Sequence, residues 1–408
     1  MTSASRHLSR IAALTCPDAD ASVVIRCETD PSATTLAAWD ELVERSTGTD
    51  ITQLSVWATI RAQAGFSPVY LFAYRDGRIV GGALLLHRRL LGVLTVGYLP
   101  YGPLVDRSAP AARVVTTGLV DALTELARSW TLTCIQPPEG AEDVSDALLA
   151  RGFRASHVGI APAGSYRLDL TPPLDHIRAG FSKRLKSWTN RWEAKGVRVR
   201  RGDENDLPLL VELMTHTGLR QGFTPPTLEH LTILFRSLHS RGHAELFVGE
   251  VDGRPVSADL VTMIGGTVQG RRGGFDGSGA AGKLSVPAAV RWEIIKWGKQ
   301  QGLRWLDFGG LPERMLDDMI DRGVHTSDDW PSAHRGKLAF NGVAFRYPMA
   351  VEMVRPAAVR WAYDFATRHR QGQRLIAAVK HLLRTKRATP NILCHRGSPT
   401  ASQRELPT

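Results

Sequence analysis

Apolar runs punctuated by short polar turns give this chain its most legible pattern, and one such phrase occurs twice. The first copy runs Tyr70-Leu-Phe-Ala-Tyr-Arg-Asp-Gly-Arg-Ile-Val-Gly-Gly-Ala-Leu-Leu-Leu86. The second runs Phe247-Val-Gly-Glu-Val-Asp-Gly-Arg-Pro-Val-Ser-Ala-Asp-Leu-Val-Thr-Met263. In each, two apolar runs flank an Asp-Gly-Arg turn. Asp-Gly supplies the positive φ angles of a tight hairpin, so each copy predicts two antiparallel strands. A helix-rich stretch precedes each hairpin, and a strand and a helix follow it. A repeat this long exceeds a solenoid unit and predicts duplication of a whole α/β domain.

The same patterning lays out the other elements. Before the first hairpin it predicts a strand over Ser22 to Cys27 and helices over Thr35 to Arg45 and Thr52 to Gln63. After it come a strand from Val93 to Leu99, a helix from Ala111 to Ser129, a short strand at Leu132 to Ile135 and a helix from Ala141 to Arg151. The second unit opens with a basic helix, His176 to Lys195, and adds helices over Leu207 to Gln221 and Thr227 to Ser240. Past its hairpin the reading gives a strand at Thr267 to Phe275, a helix at Pro287 to Gln301, and a strand from Arg304 to Phe308 running into Gly309-Gly310. Lys337 to Phe345 and Met349 to Val354 are expected to close the sheet, with a helix over Val359 to Arg387. Alternating strands and helices mean α/β layers. The expected domains are a loose leader (1–21), a first unit (22–160), a second unit (165–350), a C-terminal strand with basic amphipathic helices (351–388), and a disordered tail (389–408).

At 408 residues the chain can build two full cores, and 43% apolar with 22% charged residues is ordinary for a globular protein. No apolar run approaches the ~20 residues that span a bilayer, and Ile11 to Leu14 is too short for a signal-peptide core. The expectation is therefore a cytoplasmic protein. Cys16, Cys27, Cys134 and Cys394 are scattered, and the 13 His residues do not cluster, so no metal is expected. A net charge of +11 suits a polyanionic partner: nucleic acid, a sugar nucleotide or an anionic membrane face.

Three phrases carry more than fold-building requires: Tyr98-Leu-Pro-Tyr-Gly-Pro-Leu-Val-Asp106, Arg271-Arg-Gly-Gly-Phe-Asp-Gly277 and Leu306-Asp-Phe-Gly-Gly310. Tyr101, Asp276 and Asp307 are the substrate-binding candidates within them. Asp307 reads either as a strand-end carboxylate or as a turn residue, and Asp276 as a cleft residue or a turn. With the doubled α/β unit, these phrases resemble the FemABX family of aminoacyl-tRNA-dependent peptidyltransferases, over roughly residues 50 to 356. The resemblance implies two tandem GNAT-like domains, here in a compact form without a helical arm, since no heptad-rich insertion precedes the second hairpin. It implies no cofactor, with aminoacyl-tRNA and a nucleotide- or lipid-linked peptidoglycan precursor as partners. Its C-terminal segment is expected to return to the first domain. A peripheral contact with the inner membrane face is a further expectation for the basic C-terminal helix.

By the same resemblance, Lys337 in Gly336-Lys-Leu-Ala-Phe340 corresponds to a lysine near the aminoacyl end that stabilises developing charge, and Arg220 to an arginine holding the precursor's diphosphate. Arginine suits phosphate because its planar fork donates two parallel bonds. Two positions depart from the family. Where a first-domain lysine follows a tryptophan, Trp57-Ala-Thr59-Ile-Arg61 offers Thr59, with Arg61 two residues on as the substitute. Where some members have Asp-Pro, this chain has Gln136-Pro137, and Gln136 cannot take a proton. In the basic helix, Lys183, Arg184, Lys186 and Arg191 face almost no acids, which fits an RNA-phosphate role as well as a solvated face. The string Arg78-Ile-Val-Gly81-Gly-Ala83 fits a loose CoA-pyrophosphate pattern but lies in a predicted strand, not at a helix start. Two further function classes stay open: a CoA-dependent N-acyltransferase for a cell-surface polysaccharide or metabolite, and a non-catalytic RNA-binding protein.

Overall fold

The computed structural model describes residues 14–16, 23–157, 159–279, 281–374 and 376. Both Asp-Gly turns form as the pattern dictates. Asp76 and Gly77 take φ of 50° and 74°, Asp252 and Gly253 take 50° and 82°, and each turn joins two long antiparallel strands.

The first sheet contains β1 (Leu14–Cys16), β2 (Val23–Glu28), β3 (Ser67–Arg75), β4 (Arg78–Leu90), β5 (Leu94–Pro100), the two-residue β6 (Leu104–Val105), β7 (Leu132–Gln136) and β8 (Arg154–Ala155). The second contains β9 (Gly164–Asp169), β10 (Val197–Gly202), β11 (Ala244–Val251), β12 (Arg254–Ile264), β13 (Thr267–Phe275), β14 (Trp305–Gly310) and β15 (Val343–Arg346). The last strand, β16 (Val351–Val354), joins the first sheet between β7 and β8, completing nine strands there against seven in the second.

The two sheets have matching topologies. Four antiparallel strands (β2 to β5, and β10 to β13) lead into one parallel pairing, β5 with β7 and β13 with β14. Beyond it each sheet takes an antiparallel strand from elsewhere in the chain. Val351–Val354 pairs with Leu132–Ile135 in the first sheet, and β9 pairs with β14 in the second.

Helices cover both faces, and the middle layer is shared. The Ala33–Arg45 and Ser55–Ala62 helices of the first half meet the Leu207–Gln221 and Leu228–His239 helices of the second. One buried cluster runs from Trp39, Phe72 and Leu84 through Leu207, Leu231 and Phe235 to Leu246. Separate cores lie on the outer faces, around Leu119 and Ile135 in one half and around Phe181, Val268 and Trp297 in the other. Because the middle core belongs to both halves, separating them would expose it to water.

Several expectations change on this frame. Leu14–Cys16, assigned to a loose leader, pairs with Val23–Ile25. The basic helix is two helices, Leu174–Gly180 and Lys183–Thr189. Phe181 between them is buried, and Ser182 caps the second by accepting from the Leu185 amide. A buried aromatic held at an extended backbone position outweighs the helical propensity of the flanking lysines. Trp192 is buried just beyond that second helix, its amide donating to the Trp188 carbonyl (3.2 Å), and half-buried Trp188 packs against the same core. Lys337 sits on a helix, Ser332–Leu338, and not at a strand start, since β15 begins only at Val343. The C-terminal helix is described over Ala357–Arg368. Residue 375 and those from 377 on, which hold the remainder of that expected helix to Arg387 and the tail 389–408, lie outside the described residues, as do 1–13 and 17–22. Among the described residues no helix is long and apolar enough to cross a membrane.

The returning strand is locked by Glu352, whose side chain is fully buried. It accepts from Arg154 Nε (3.2 Å), Ser156 Oγ (3.0 Å), the His157 amide (3.1 Å) and Tyr363 Oη (3.2 Å). Removing one partner of such a buried set strands the others without water. Glu352→Ala is therefore expected to lower the unfolding free energy by roughly 3 kcal/mol, read as a lower urea midpoint with unchanged slope. A loss below about 0.5 kcal/mol would mean that β16 is held by its backbone ladder alone.

Candidate active site

The site originates in a parallel pairing that stops short. β13 and β14 pair only at Thr267–Trp305, Val268–Leu306 and Gln269–Asp307. Beyond that point β13 continues along β12 while β14 turns away, and the gap opens a cleft of about 440 Å³. Its walls come from β12, β13, β14, the Val286–Gln300 helix and the Ser332–Leu338 helix.

Asp307 sets the turn. Its side chain is buried, and it accepts from Ser165 Oγ on β9, from the Gly309 amide (2.7 Å) and from Gln269 Nε2 on β13 (3.3 Å). Burial pushes its carboxyl above the usual range, opposed by those three donors and by the charge of Lys337. The pairing of β14 with β9 shifts register between Asp307 and Gly310, and Gly309 takes φ +86°, a backbone state that costs glycine little. As a result the Gly309 and Gly310 carbonyls point to one place. Lys337 Nζ occupies it, donating to both at 3.0 and 3.1 Å.

Lys337 is half-buried, and its pKa falls to about 8 because burial disfavours the ammonium, with Arg291 adding to the drop and Asp307 opposing it. One helical turn earlier, His334 lines the same cleft. Burial, helped by Lys337, holds its imidazole below the ordinary range, and its Nδ1 is buried without a hydrogen bond among the described residues.

The cleft gathers three of the residues singled out from sequence: Lys337, Asp307 and Arg220. Arg220, in the last turn of the Leu207–Gln221 helix, donates to the Phe275 carbonyl at 2.6 Å, which places its guanidinium at the cleft wall. The other candidates lie elsewhere. Arg61 donates to Tyr98 Oη at 3.0 Å and stacks on Phe66, and its charge is felt at His230 together with that of Arg272. Tyr101 is buried at the junction of the halves, its ring 5.0 Å from that of Tyr347, with its phenol pushed up by burial. Asp276 accepts from the Ser278 amide (3.0 Å) and pairs with Arg254 (3.2 Å), which keeps its carboxyl low, and it is not a cleft residue. Gln136 is buried at the end of β7 and donates to the Pro137 and Pro348 carbonyls at 3.2 and 2.8 Å. A carboxylate there would face two carbonyl oxygens.

Lys183, Arg184 and Arg191 are exposed and make no ion pair among the described residues, and Lys186 donates to the Ala179 carbonyl at 3.1 Å. The Lys183–Thr189 helix, with Arg191 just past its end, starts beside the Lys337 helix, since the Ser182 amide donates to the Ala339 carbonyl at 2.8 Å. The CoA-like string lies within β4, its backbone paired to β3 and β6.

Sequence reading singled out the Arg271–Gly277 phrase without naming Arg271 or Arg272 as site residues, and missed Asp259, Arg291 and His334; all five line the cleft. Arg271 also reaches the first half, donating to Asp50 Oδ2 (3.3 Å) and lying over the Trp57 ring (5.5 Å). A readable signal was a charge inside an apolar strand: Asp259 interrupts Val256-Ser-Ala-Asp-Leu-Val261.

A family model described as an acetyltransferase (GNAT) domain matches residues 179–326. Lipid II:glycine glycyltransferases of Staphylococcus aureus, strains MRSA252 and USA300, are 27% identical over 226 residues, which is 52% of this chain and 53% of theirs. The chain thus spans about half the length of the curated relatives it matches. The crystal structure of FemX superposes with a TM-score of 0.69 at 18% identity, covering 84% of this chain and 100% of that one. That likeness extends to the tandem GNAT-like α/β fold.

The electrostatics of Lys337 can be tested directly. After isotopic reductive methylation, the NMR signal assigned to Lys337 by its loss in Lys337→Arg is expected to titrate near pH 8. In Asp307→Asn the midpoint should move lower still, because a negative charge that favours the ammonium is gone. A midpoint above about 10 would mean that Lys337 is solvated and the cleft does not desolvate it.

Proposed function

We propose that the chain belongs to the FemABX family and is an aminoacyltransferase moving an amino acid from aminoacyl-tRNA to an amine of a peptidoglycan precursor, as in interpeptide bridge formation, a reading supported by its likeness to lipid II:glycine glycyltransferases and to the FemX fold. The observation that carries the proposal is Lys337, a desolvated cation held by two carbonyls at the wall of a polar cleft.

The reaction is aminolysis of an ester. The amine lone pair forms a C–N bond to the aminoacyl carbonyl, and the C=O π electrons move onto oxygen. When the oxyanion collapses, the ester C–O bond breaks and the ribose oxygen leaves, while a proton passes from the amine nitrogen to that oxygen. The ester is already activated, so holding the two reactants together and stabilising the oxyanion do most of the work. In this reading Lys337 turns its ammonium toward the oxyanion, and the Gly309 and Gly310 carbonyls fix where that ammonium sits. Arg220 and the cations beside it bind phosphate of the acceptor, with Arg61, Tyr101, Asp276 and Asp307 retained as substrate-side residues, Asp307 through its hold on the turn. Lys183, Arg184, Lys186 and Arg191 meet the tRNA backbone. The reaction is placed in the cytoplasm, where charged tRNA and wall precursors are made, with the membrane face as the place of any lipid-linked acceptor.

The test is transfer itself. The purified chain is incubated with charged tRNA pools and wall precursors, and in parallel with acyl-CoA, and product mass is followed. Transfer from aminoacyl-tRNA supports the proposal. Transfer from CoA alone would replace it with an N-acyltransferase, and binding of RNA without any transfer would favour a non-catalytic module. Within that assay, Lys337→Ala should lower single-turnover kcat by ~10²–10³-fold with both substrates still bound, the size of one oxyanion donor. Lys337→Arg should restore the rate only partly, because a planar fork cannot reproduce a point charge held by two carbonyls. Near-normal turnover in Lys337→Ala would remove it from the chemistry.

A further inference from the structure

Asp259 stands in the cleft without a partner. It lies on β12 directly opposite Gly273 of β13, half-buried, and no hydrogen bond or ion pair reaches its carboxylate among the described residues. A Cβ on residue 273 would lie 2.1 Å from Asp259 Oδ1, so the glycine leaves the slot that the carboxylate fills. Burial raises its carboxyl above the usual range, with the charge of Arg291 opposing. A carboxylate held this way, facing an open cavity, is short of a donor.

The rest of the cleft has the opposite sign. Arg220, Arg271, Arg272, Arg291 and Lys337 all line it. The other carboxylate, Asp307, already accepts from Ser165, Gly309 and Gln269. The cavity therefore has cationic walls and one anionic point. A ligand matching both signs carries phosphate or a developing oxyanion together with a single ammonium. An aminoacyl ester of a nucleotide has this pattern, its α-ammonium one carbon removed from the carbonyl under attack.

We propose that Asp259 binds the α-ammonium of the aminoacyl donor and makes the cleft selective for donors whose α-amine is free. This rests on the donor reading given above. The contact would orient the ester, since fixing the amine one carbon from the carbonyl limits the directions in which the carbonyl oxygen can point toward Lys337.

The experiment compares aminoacyl-tRNA with the same tRNA N-acetylated on its aminoacyl group, using the full chain, its Asp259→Asn variant and one acceptor. The wild type is expected to prefer the free amine by roughly 10–100-fold in kcat/KM, the range of one charge-assisted hydrogen bond. Asp259→Asn should lose that factor with the free donor and keep its rate with the acetylated one, so the preference collapses. The same comparison in Asp259→Ser gives an independent answer if the asparagine prevents folding. A preference that survives in the variants overturns the proposal. So does an equal loss with both donors, which marks a structural residue, or a loss confined to acceptor KM, which places the acceptor amine there. No wild-type transfer from any aminoacyl-tRNA would instead bring down the donor reading, and the proposal with it.

Discussion

The buried carboxylate of Asp307 is the interaction on which the second half of the molecule turns. An ionised carboxylate removed from water costs several kcal/mol unless donors replace the lost hydration. Here they come from three places: a side chain on β9, a side chain on β13 and the amide of Gly309. Satisfying it therefore ties two neighbouring strands to one turn. That turn ends the parallel pairing after three residue pairs and breaks the register with β9. It also aims two carbonyls at one lysine. The cleft and its cation are thus consequences of a single buried charge finding its partners.

The first half contributes rigidity to that arrangement. Arg167 on β9 donates bidentately to Glu139 at 2.7 Å on each arm while sandwiched between the Trp305 and Phe345 rings, 4.2 Å from each. Arg271 pairs with Asp50, Arg241 with Asp40 and His243 with Glu44, each across the halves. Exposed ion pairs alone contribute little. These act beside a continuous apolar core, and the stacked fork of Arg167 is shielded from solvent on both faces, so together they fix orientation more than they add stability. The strand β16 closes the arrangement by carrying the chain back into the first sheet.

What the sequence made legible was local. Asp-Gly turns, apolar runs and helix periods depend on neighbours a few residues away, and the doubled hairpin followed from them. Lys337 was singled out through its motif, yet its secondary structure was misread, because Gly336-Lys-Leu-Ala-Phe340 has too short an apolar run to separate helix from strand. The split of the basic helix depends on Phe181 meeting Trp292 and Phe340, a contact no local pattern encodes. The return of the last strand to the first sheet was expected from the family resemblance and not from the local pattern: Val351–Val354 looks like any short apolar run until Leu132–Ile135 lies beside it. Asp259 was visible as a charge within an apolar strand, but its meaning depended on Gly273 across the ladder.

The net charge of +11 looks different once it is distributed over the structure. Much of the arginine excess is spent on the fold. Arg200 bonds both Asp206 and Glu250, Arg201 pairs with Glu245 while lying over Phe247 and Trp297, and Arg346 holds Asp317 and Asp321. Cations spent this way cannot recruit a polyanion without giving up a carboxylate. Lys183, Arg184 and Arg191 are exposed beside the Lys337 helix, and five more cations line the cleft. Charges on the open face are screened over about 8–10 Å at physiological salt, whereas those lining a low-dielectric cavity act at close range with little screening. The open face therefore acts weakly and at a distance, and the cleft strongly and locally. At that range the sign of each wall residue matters more than the total, and one unpaired carboxylate among five cations sets the charge pattern that a ligand of this cavity has to match.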